Sequence, residues 1–318
     1  MADDCAVRGL RPWIGPIGWA VSLVGFATFG WFLWSQVQID GGQAYDAHAY
    51  LLAARHLVSG EPLYAPVAIN GPGAYRYPPT FALLLAPTTL VPELAAIWVY
   101  RLACLLCLRY LVGSWRAVGW TLLFPPVWIE LAALNVTLPV AAAGRLALRT
   151  DRGAAWLPGA AALKYGSALL APFLWAVRPS SRRPLLVGAG VVVGLVLGHA
   201  LVDPAAWRAY LGSLLQQASS SNAGPTVGGQ LLHLVPSTTG DFALRLVLAA
   251  AMTVIAIRRR WGWLAYVAAT IAVPTLWLAR LAPLVAVPRL WWEERQDARA
   301  LATEPAAPER LGPAPATG

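Results

Sequence analysis

Charge is scarce in this chain. Asp, Glu, Lys and Arg together make up 12% of its 318 residues, while hydrophobic residues reach 58%; a soluble domain carries about 25% charged residues. That shortage excludes a water-soluble fold, because so little polar surface cannot cover so much apolar surface, and it makes a bilayer the solvent. Lysine is almost missing, and Lys164 is the only one. Between residues 5 and 292 the acids are Asp40, Asp46, Glu61, Glu93, Glu130, Asp151, Asp203 and Asp241, so any carboxylate chemistry in the body of the chain draws on these. Cysteine is limited to Cys5, Cys104 and Cys107. That excludes a disulfide framework, and the C-x-x-C of Cys104 and Cys107 sits in an apolar run with too few ligands around it for zinc, which leaves helix packing. There is no internal repeat of the kind that builds many transporters. There is also no small-residue cleavage site after the first apolar run, so that run reads as a retained helix and not a signal peptide.

Long apolar runs are what the chain has in plenty. A spanning helix needs about 20 apolar residues, and 15–36, 94–113, 117–134, 185–202, 242–257 and 262–278 qualify or come close. In lipid the backbone satisfies its own hydrogen bonds, and continuous runs favour helices over alternating barrel strands. The fold class is therefore an all-α polytopic membrane protein. The formal charge of +9 does not point to nucleic acid, since the basic residues fall in short loops between apolar runs, where they set topology. Arg8 and Arg11 place the N-terminus inside. Arg145/Arg149/Arg152, Arg178/Arg182/Arg183 and Arg258/Arg259/Arg260 then belong on the same side. Residues 37–79 form a long external loop poor in basic residues.

Three stretches are too short to span. Residues 153–177 have basic flanks on both sides and read as a re-entrant hairpin with Lys164 near its tip; such a break is tolerated only in protein or against a cavity. Residues 79–91, interrupted by Pro87, read as a half-helix, and WRAYLGSLLQQ within 204–241 reads as a surface helix. Residues 1–292 thus form one membrane domain, and 293–318, rich in Ala, Pro and charge, read as a disordered tail on the inner side.

The external loop carries most of the polar residue types. Over 46–58, Tyr50, Leu51, Ala54 and Leu57 share a helical face, with His48, Arg55 and His56 elsewhere, which is the pattern of an amphipathic helix along a membrane surface. Asp46 stands at its start, either as a helix cap or as a reactive carboxylate. Asp40 precedes Gly41-Gly42 and is either a turn residue or a second candidate acid.

The block D-x-x-x-Y…A-x-x-L…G-x-x-L-Y…Y-x-Y-P-P…L-x-x-P…L-x-P runs from Asp46 and Tyr50 through Tyr64, Tyr75 and Tyr77-Pro78-Pro79 to Pro92. It resembles glycosyltransferase family 87, the polyprenol-phosphate-mannose-dependent mannosyltransferases of GT-C architecture. LAALNVTLPVAAAGRLAL resembles the family's G-Q-x-N segment, with Asn135 kept and Ala133-Leu134 in place of Gly-Gln. GAAALKYGSALLAPFL puts Lys164 on a family lysine, and Trp207 and Tyr210 fit a W-x-x-Y. The chain departs from the pattern at V-P-T-L-W-L-A-R, where Trp277 is kept but Ala279 and Arg280 replace polar or aromatic residues, and Asn222 only partly echoes an Asn-Gln-Ser element.

The resemblance implies a multi-pass protein of the plasma (inner) membrane with its active site facing outward. The donor would be polyprenyl-phosphate-mannose, the acceptor a glycolipid or polysaccharide, and no metal or other cofactor would be needed. Phosphate leaves as a stable anion, so one general base suffices for an inverting transfer; Asp46 takes that role. Lys164, Arg280 and Arg76 are the phosphate-side candidates, Lys164 having the alternative of snorkelling to an interface. His48 and His56 either contact substrate or are merely solvated. Tyr50 belongs to the same block, and Tyr64 and Tyr77 either stack on sugar or anchor at the interface. Asn135 either binds sugar hydroxyls or caps a helix. Two rival readings remain: a carrier of lipid-linked sugar, and an inactive scaffold.

Overall fold

The computed structural model describes residues 2–37, 44–64, 74–219, 238–273, 276 and 278–303. Among these the chain is helical and no strand occurs. In order the helices are α1 (Ala2–Val37), α2 (Tyr45–Ser59), α3 (Pro79–Leu85), α4 (Glu93–Val112), α5 (Trp115–Thr121), α6 (Pro125–Ala133), α7 (Thr137–Arg149), α8 (Leu157–Leu163), α9 (Leu170–Val177), α10 (Arg182–Val202), α11 (Pro204–Ser219), α12 (Thr238–Arg259), α13 (Gly262–Ile271) and α14 (Val287–Thr303). Short 3-10 segments join several of them, including Ala86–Leu90, Arg152–Trp156, Tyr165–Leu169 and Leu278–Ala286.

Among the described residues, four helices are long and apolar enough to cross a bilayer: Gly15–Ser35, Glu93–Val112, Pro179–Val202 and Gly240–Arg259. They are covered with exposed Leu, Val and Trp, as lipid-facing helices are, and α10 buries only Leu185 and Gly188. Where lipid is the solvent, apolar burial does not drive helix association, and close packing of small residues takes over. In α1, Gly25 meets Gly119 of α5 so closely that a Cβ on Gly25 would lie 1.8 Å from the Gly119 carbonyl oxygen. The Trp120 indole N–H donates to Gly18 O at 2.7 Å across the same contact.

Two expected spans are not continuous helices. The run 117–134 divides into α5 and α6 at Pro125 and Pro126, because proline lacks a donor and drives the preceding Phe124 to extended backbone. The run 262–278 yields only the ten-residue α13, which stops at Ile271 three residues before Pro274. Among the described residues, α6 and α7, bent by 114° at their junction, make a fifth crossing if they count as one broken span. The expected short elements do form: α3 gives way to a 3-10 segment at Ala86-Pro87, and α8 ends at Lys164, whose extended backbone (φ −141°, ψ 95°) breaks the 153–177 stretch in its middle. Gly166, just beyond, packs against the Ala269 and Ala272 carbonyls of α13 with no room for a side chain. The 204–219 segment is helical, its start capped by Asp203 Oδ1 accepting the Ala206 N–H at 2.9 Å.

The boundary drawn at residue 293 falls inside α14, which continues to Thr303. Its acids are held: Arg145 meets Glu293 at 2.6 Å, Arg149 meets Asp297 at 2.8 Å, and Glu294 Oε1 accepts the Trp263 N–H at 2.9 Å. The composition of the tail masked that pairing, since its partners lie about 150 residues upstream in α7.

The long helix α4 separates two ends of the molecule by about 30 Å. At its start Glu93 pairs with His48 and Arg55 of α2. At its finish the Tyr110 carbonyl accepts from Arg145 at 3.2 Å and from Arg289 at 2.8 Å. The three basic clusters of the sequence converge at this second end, where Arg149, Arg178 and Arg260 line one cavity of about 280 Å³ with Glu294 and Asp297. Cys104 and Cys107 lie within α4 as free thiols, Cys104 fully buried.

Candidate functional site

At the α2 end, several helix breaks meet. Ala44 adopts a left-handed backbone (φ 56°) and donates its N–H to Ala132 O at 2.7 Å, pinning the start of α2 to the last turn of α6. Leu134 is also left-handed (φ 56°) and closes α6 by donating to Glu130 O at 2.8 Å. A positive φ on a leucine is costly and persists only where packing enforces it. Here it turns the chain sharply, so that Asn135 and Thr137 sit at the bend and face the first turn of α2.

Asp46 occupies that first turn, not the capping position, which belongs to Ala44; the cap reading is therefore excluded. Asn135 Nδ2 donates to Asp46 Oδ2 at 2.5 Å. The orientation of the amide is set from its other side. Asn135 Oδ1 accepts from the Thr137 hydroxyl at 3.0 Å and, at a longer 3.4 Å, from the Tyr77 hydroxyl. With donors at the oxygen, the NH₂ group has to point at the carboxylate. Asn135 thus serves as a bracket for Asp46 and caps no helix.

Two arms extend from this bracket. Along one, the Tyr50 hydroxyl donates to Tyr77 at 3.2 Å, while the Tyr64 hydroxyl donates to the Tyr77 carbonyl at 2.7 Å. Along the other, Lys164 Nζ, buried at 8% exposure, donates to Thr137 Oγ1 at 2.7 Å. Snorkelling is thereby excluded for Lys164, which points inward at the break between α8 and the 3-10 turn. No carboxylate among the described residues comes within 4 Å of its ammonium group. Arg280 enters from the 3-10 segment Leu278–Ala286, which packs along α6, and its charge acts on Asp46, Glu130, Lys164 and Tyr77. It makes no hydrogen bond or ion pair to another described residue. Arg76 is exposed at the rim, and its charge acts on Asp46 and Tyr45.

Burial pushes the Asp46 carboxyl above its ordinary range; the Asn135 donor and the charges of Lys164, Arg280 and Arg76 oppose the rise. A carboxylate held so is more basic than one in water, which suits proton abstraction from a hydroxyl. The cations beside it are donor-only groups and suit an anion such as phosphate.

His48 and His56 are not part of this cluster. His48 is exposed and faces out to Glu93, and the half-buried His56 meets Glu61 at 3.2 Å. The opposite face of α2 buries Tyr50, Leu51 and Ala54 as its pattern predicts. Asp40 and Asn222 lie outside the described residues. Trp207 and Tyr210 of α11 are in edge contact at 5.8 Å, and Tyr210 reaches Tyr64 at 5.9 Å, which ties α11 to the loop bearing Asp46.

Two members of the cluster were assigned no role from the sequence. Thr137 is the hydroxyl between Lys164 and Asn135, and Glu130, 3% exposed on α6, faces the same cations. The signal for Glu130 was present, since a carboxylate inside an apolar run is functional by default. Thr137 gave no comparable signal. The cavity that holds Arg149, Arg178 and Arg260 lies at the other end of α4 and touches none of these groups. Compared with family models, with curated proteins and with solved structures, the chain finds no match in any of the three.

Proposed function

We propose that the chain is a membrane glycosyltransferase that moves a hexose, mannose by the resemblance of its 46–92 block, from polyprenyl phosphate to a hydroxyl of a glycolipid or polysaccharide. The observation that carries this reading is one bracketed carboxylate, Asp46, under the charge of two cations, Lys164 and Arg280, where several helices break. The acceptor oxygen attacks the anomeric carbon and forms the new glycosidic bond. The bond from that carbon to the phosphate oxygen breaks, and its electron pair leaves on polyprenyl phosphate. The acceptor proton passes to Asp46. Lys164 and Arg280 meet the charge that grows on the departing phosphate. A single displacement inverts the anomeric centre, so a β-linked donor gives an α-linked product, and a second carboxylate nucleophile is unnecessary.

The sidedness follows from charge. The Asp46 end lies opposite the end that gathers Arg145, Arg149, Arg178 and Arg260, and basic loops stay in the cytoplasm. The chemistry then faces outward, with the lipid donor reaching it from the bilayer.

The test uses the full chain reconstituted in liposomes with polyprenyl-phosphate-mannose and a mannolipid acceptor. Transfer with release of polyprenyl phosphate is the expected result. Movement of the lipid-linked sugar across the bilayer without transfer would instead support a carrier, for which the buried Lys164 at a helix break would also serve. Neither activity would sink both and leave a scaffold.

A further inference from the structure

Glu130 has no part in the displacement just described, yet it is the most deeply buried acid of the cluster, at 3% exposure. No donor among the described residues reaches its Oε2. The Thr137 hydroxyl lies against its carboxylate, but a hydroxyl has one proton, and the Thr137 proton has Asn135 Oδ1 as a competing acceptor at 3.0 Å. The Thr137 oxygen in turn already accepts from Lys164 at 2.7 Å. No cation lies within 4 Å to form an ion pair with Glu130 among the described residues. A carboxylate left short of donors in an apolar helix is expensive, and an uncharged side chain of similar volume would avoid that cost.

The remaining groups of the site say what is missing. Lys164 and Arg280 only donate, so they suit phosphate oxygens and cannot accept from a sugar. Asn135 Oδ1 is occupied, and Asp46 is held for the acceptor proton. Glu130 Oε2 is the carboxylate oxygen left over, on the last turns of α6 before the bend at Asn135, and the charges of Lys164 and Arg280 act on its carboxylate.

We infer that Glu130 is the residue that reads the transferred sugar, its free carboxylate oxygen accepting one hydroxyl of the hexose on polyprenyl phosphate. The inference rests on the glycosyl-transfer reading. It makes Glu130 a specificity-determining residue, distinct from the base. Sites built to bond a hydroxyl reject analogues that lack it far more strongly than apolar pockets do.

The experiment measures kcat/KM for the full chain in liposomes with polyprenyl-phosphate-mannose and its series of monodeoxy sugars, for the unaltered protein and for Glu130→Gln. The unaltered protein is expected to reject one deoxy analogue strongly. Glu130→Gln is expected to lose about 10- to 100-fold with the complete sugar, the range for a charge-assisted hydrogen bond, and to lose little further with that one analogue. With every other analogue the two losses multiply. Losses that multiply for all analogues, or a Glu130→Gln protein as active as its parent, overturn the inference. If the variant does not fold, the unaltered protein decides alone: uniform tolerance of the deoxy series refutes a hydroxyl-reading carboxylate. If the unaltered protein transfers no sugar at all, the glycosyl-transfer reading falls first and the inference falls with it.

Discussion

Replacing Asn135 with leucine removes the only side chain that donates to Asp46 among the described residues while keeping volume at the bend. Asn135 Nδ2 lies 2.5 Å from Asp46 Oδ2, a charge-assisted contact. The direction of the effect follows from the carboxyl itself. Burial raises its proton affinity, and the Asn135 bond lowers it. Without that bond only the raising influence gains, so at any pH on the acid limb less of Asp46 is ionised, and the limb of kcat/KM moves to higher pH. Hydrogen bonds to charged groups contribute about 1.5–3 kcal/mol. At 1.36 kcal/mol per tenfold change, activity on the acid limb should fall about 10- to 100-fold. The loss should shrink steadily as pH rises and the unbracketed carboxyl ionises. A pH series of initial rates from 5 to 9, with donor and acceptor below saturation, reads both limbs. An equal loss at every pH would mean that Asn135 only shapes the bend, and an unmoved acid limb would falsify the assignment of Asp46 as the base.

Asp46→Asn should stop turnover, by at least about 10³-fold for loss of a general base with its preorganised site, while a fluorescent polyprenyl-phosphate-mannose still binds within a few-fold; residual turnover near the parent rate refutes the role. Lys164→Met keeps the length of the side chain and removes its charge, and transfer should drop about 10²-fold or more. Glu294 is pushed up to about 7 by burial, with the Trp263 N–H and Arg149 opposing. A raised carboxyl stabilises the folded state below its ordinary value of 4.5 and loses that contribution as pH climbs through about 7. Proteolysis of α14 should therefore quicken between pH 5 and 8 in the parent and stay flat in Glu294→Gln. Gly25→Val places a Cβ 1.8 Å from the Gly119 carbonyl oxygen, and overpacking of this kind costs about 1–3 kcal/mol, so the melting temperature in detergent should fall; an unchanged melt would show that α1 does not dock on α5 there.

Much of the fold was legible because lipid imposes simple rules. The runs at 15–36, 94–113, 185–202 and 242–257 each became a helix of bilayer length. Lys164 marked a break, since a lone cation cannot sit in the middle of an unbroken lipid-facing helix. What hydropathy could not reveal was continuity. Pro125 and Pro126 divided a run that is uniformly apolar, and the turn at Leu134 depends on a backbone state that leucine does not advertise. The pairing of α14 with α7 was hidden for a different reason, because a segment rich in Ala, Pro and charge reads as solvated until its arginine partners, far away in sequence, come beside it.

The site divides along the same line. Asp46, Asn135 and Tyr77 were marked by the resemblance and Lys164 by being a lone cation in an apolar stretch, and Asn135, Lys164 and Tyr77 flank helix breaks that bring them to the first turn of α2. His48 and His56 were attractive by type alone, and the helix geometry turned them away from the cluster, toward Glu93 and Glu61. Thr137 could not be singled out, because one threonine in a helix has many uses. Its role comes from being two residues after Asn135 and at hydrogen-bonding distance from Lys164, 27 residues later. The bracket therefore belongs to tertiary structure. Asn135 holds the base only because Thr137 and Tyr77 fix its oxygen, and Thr137 also positions the ammonium of Lys164. One hydroxyl thus connects the group proposed to take the proton with the group proposed to meet the phosphate. Removing it, as in Thr137→Val, should weaken both functions together: the acid limb should move as in Asn135→Leu, and the donor KM should rise as in a weakened Lys164 variant. A change in only one of the two would show that the arms of the cluster act independently.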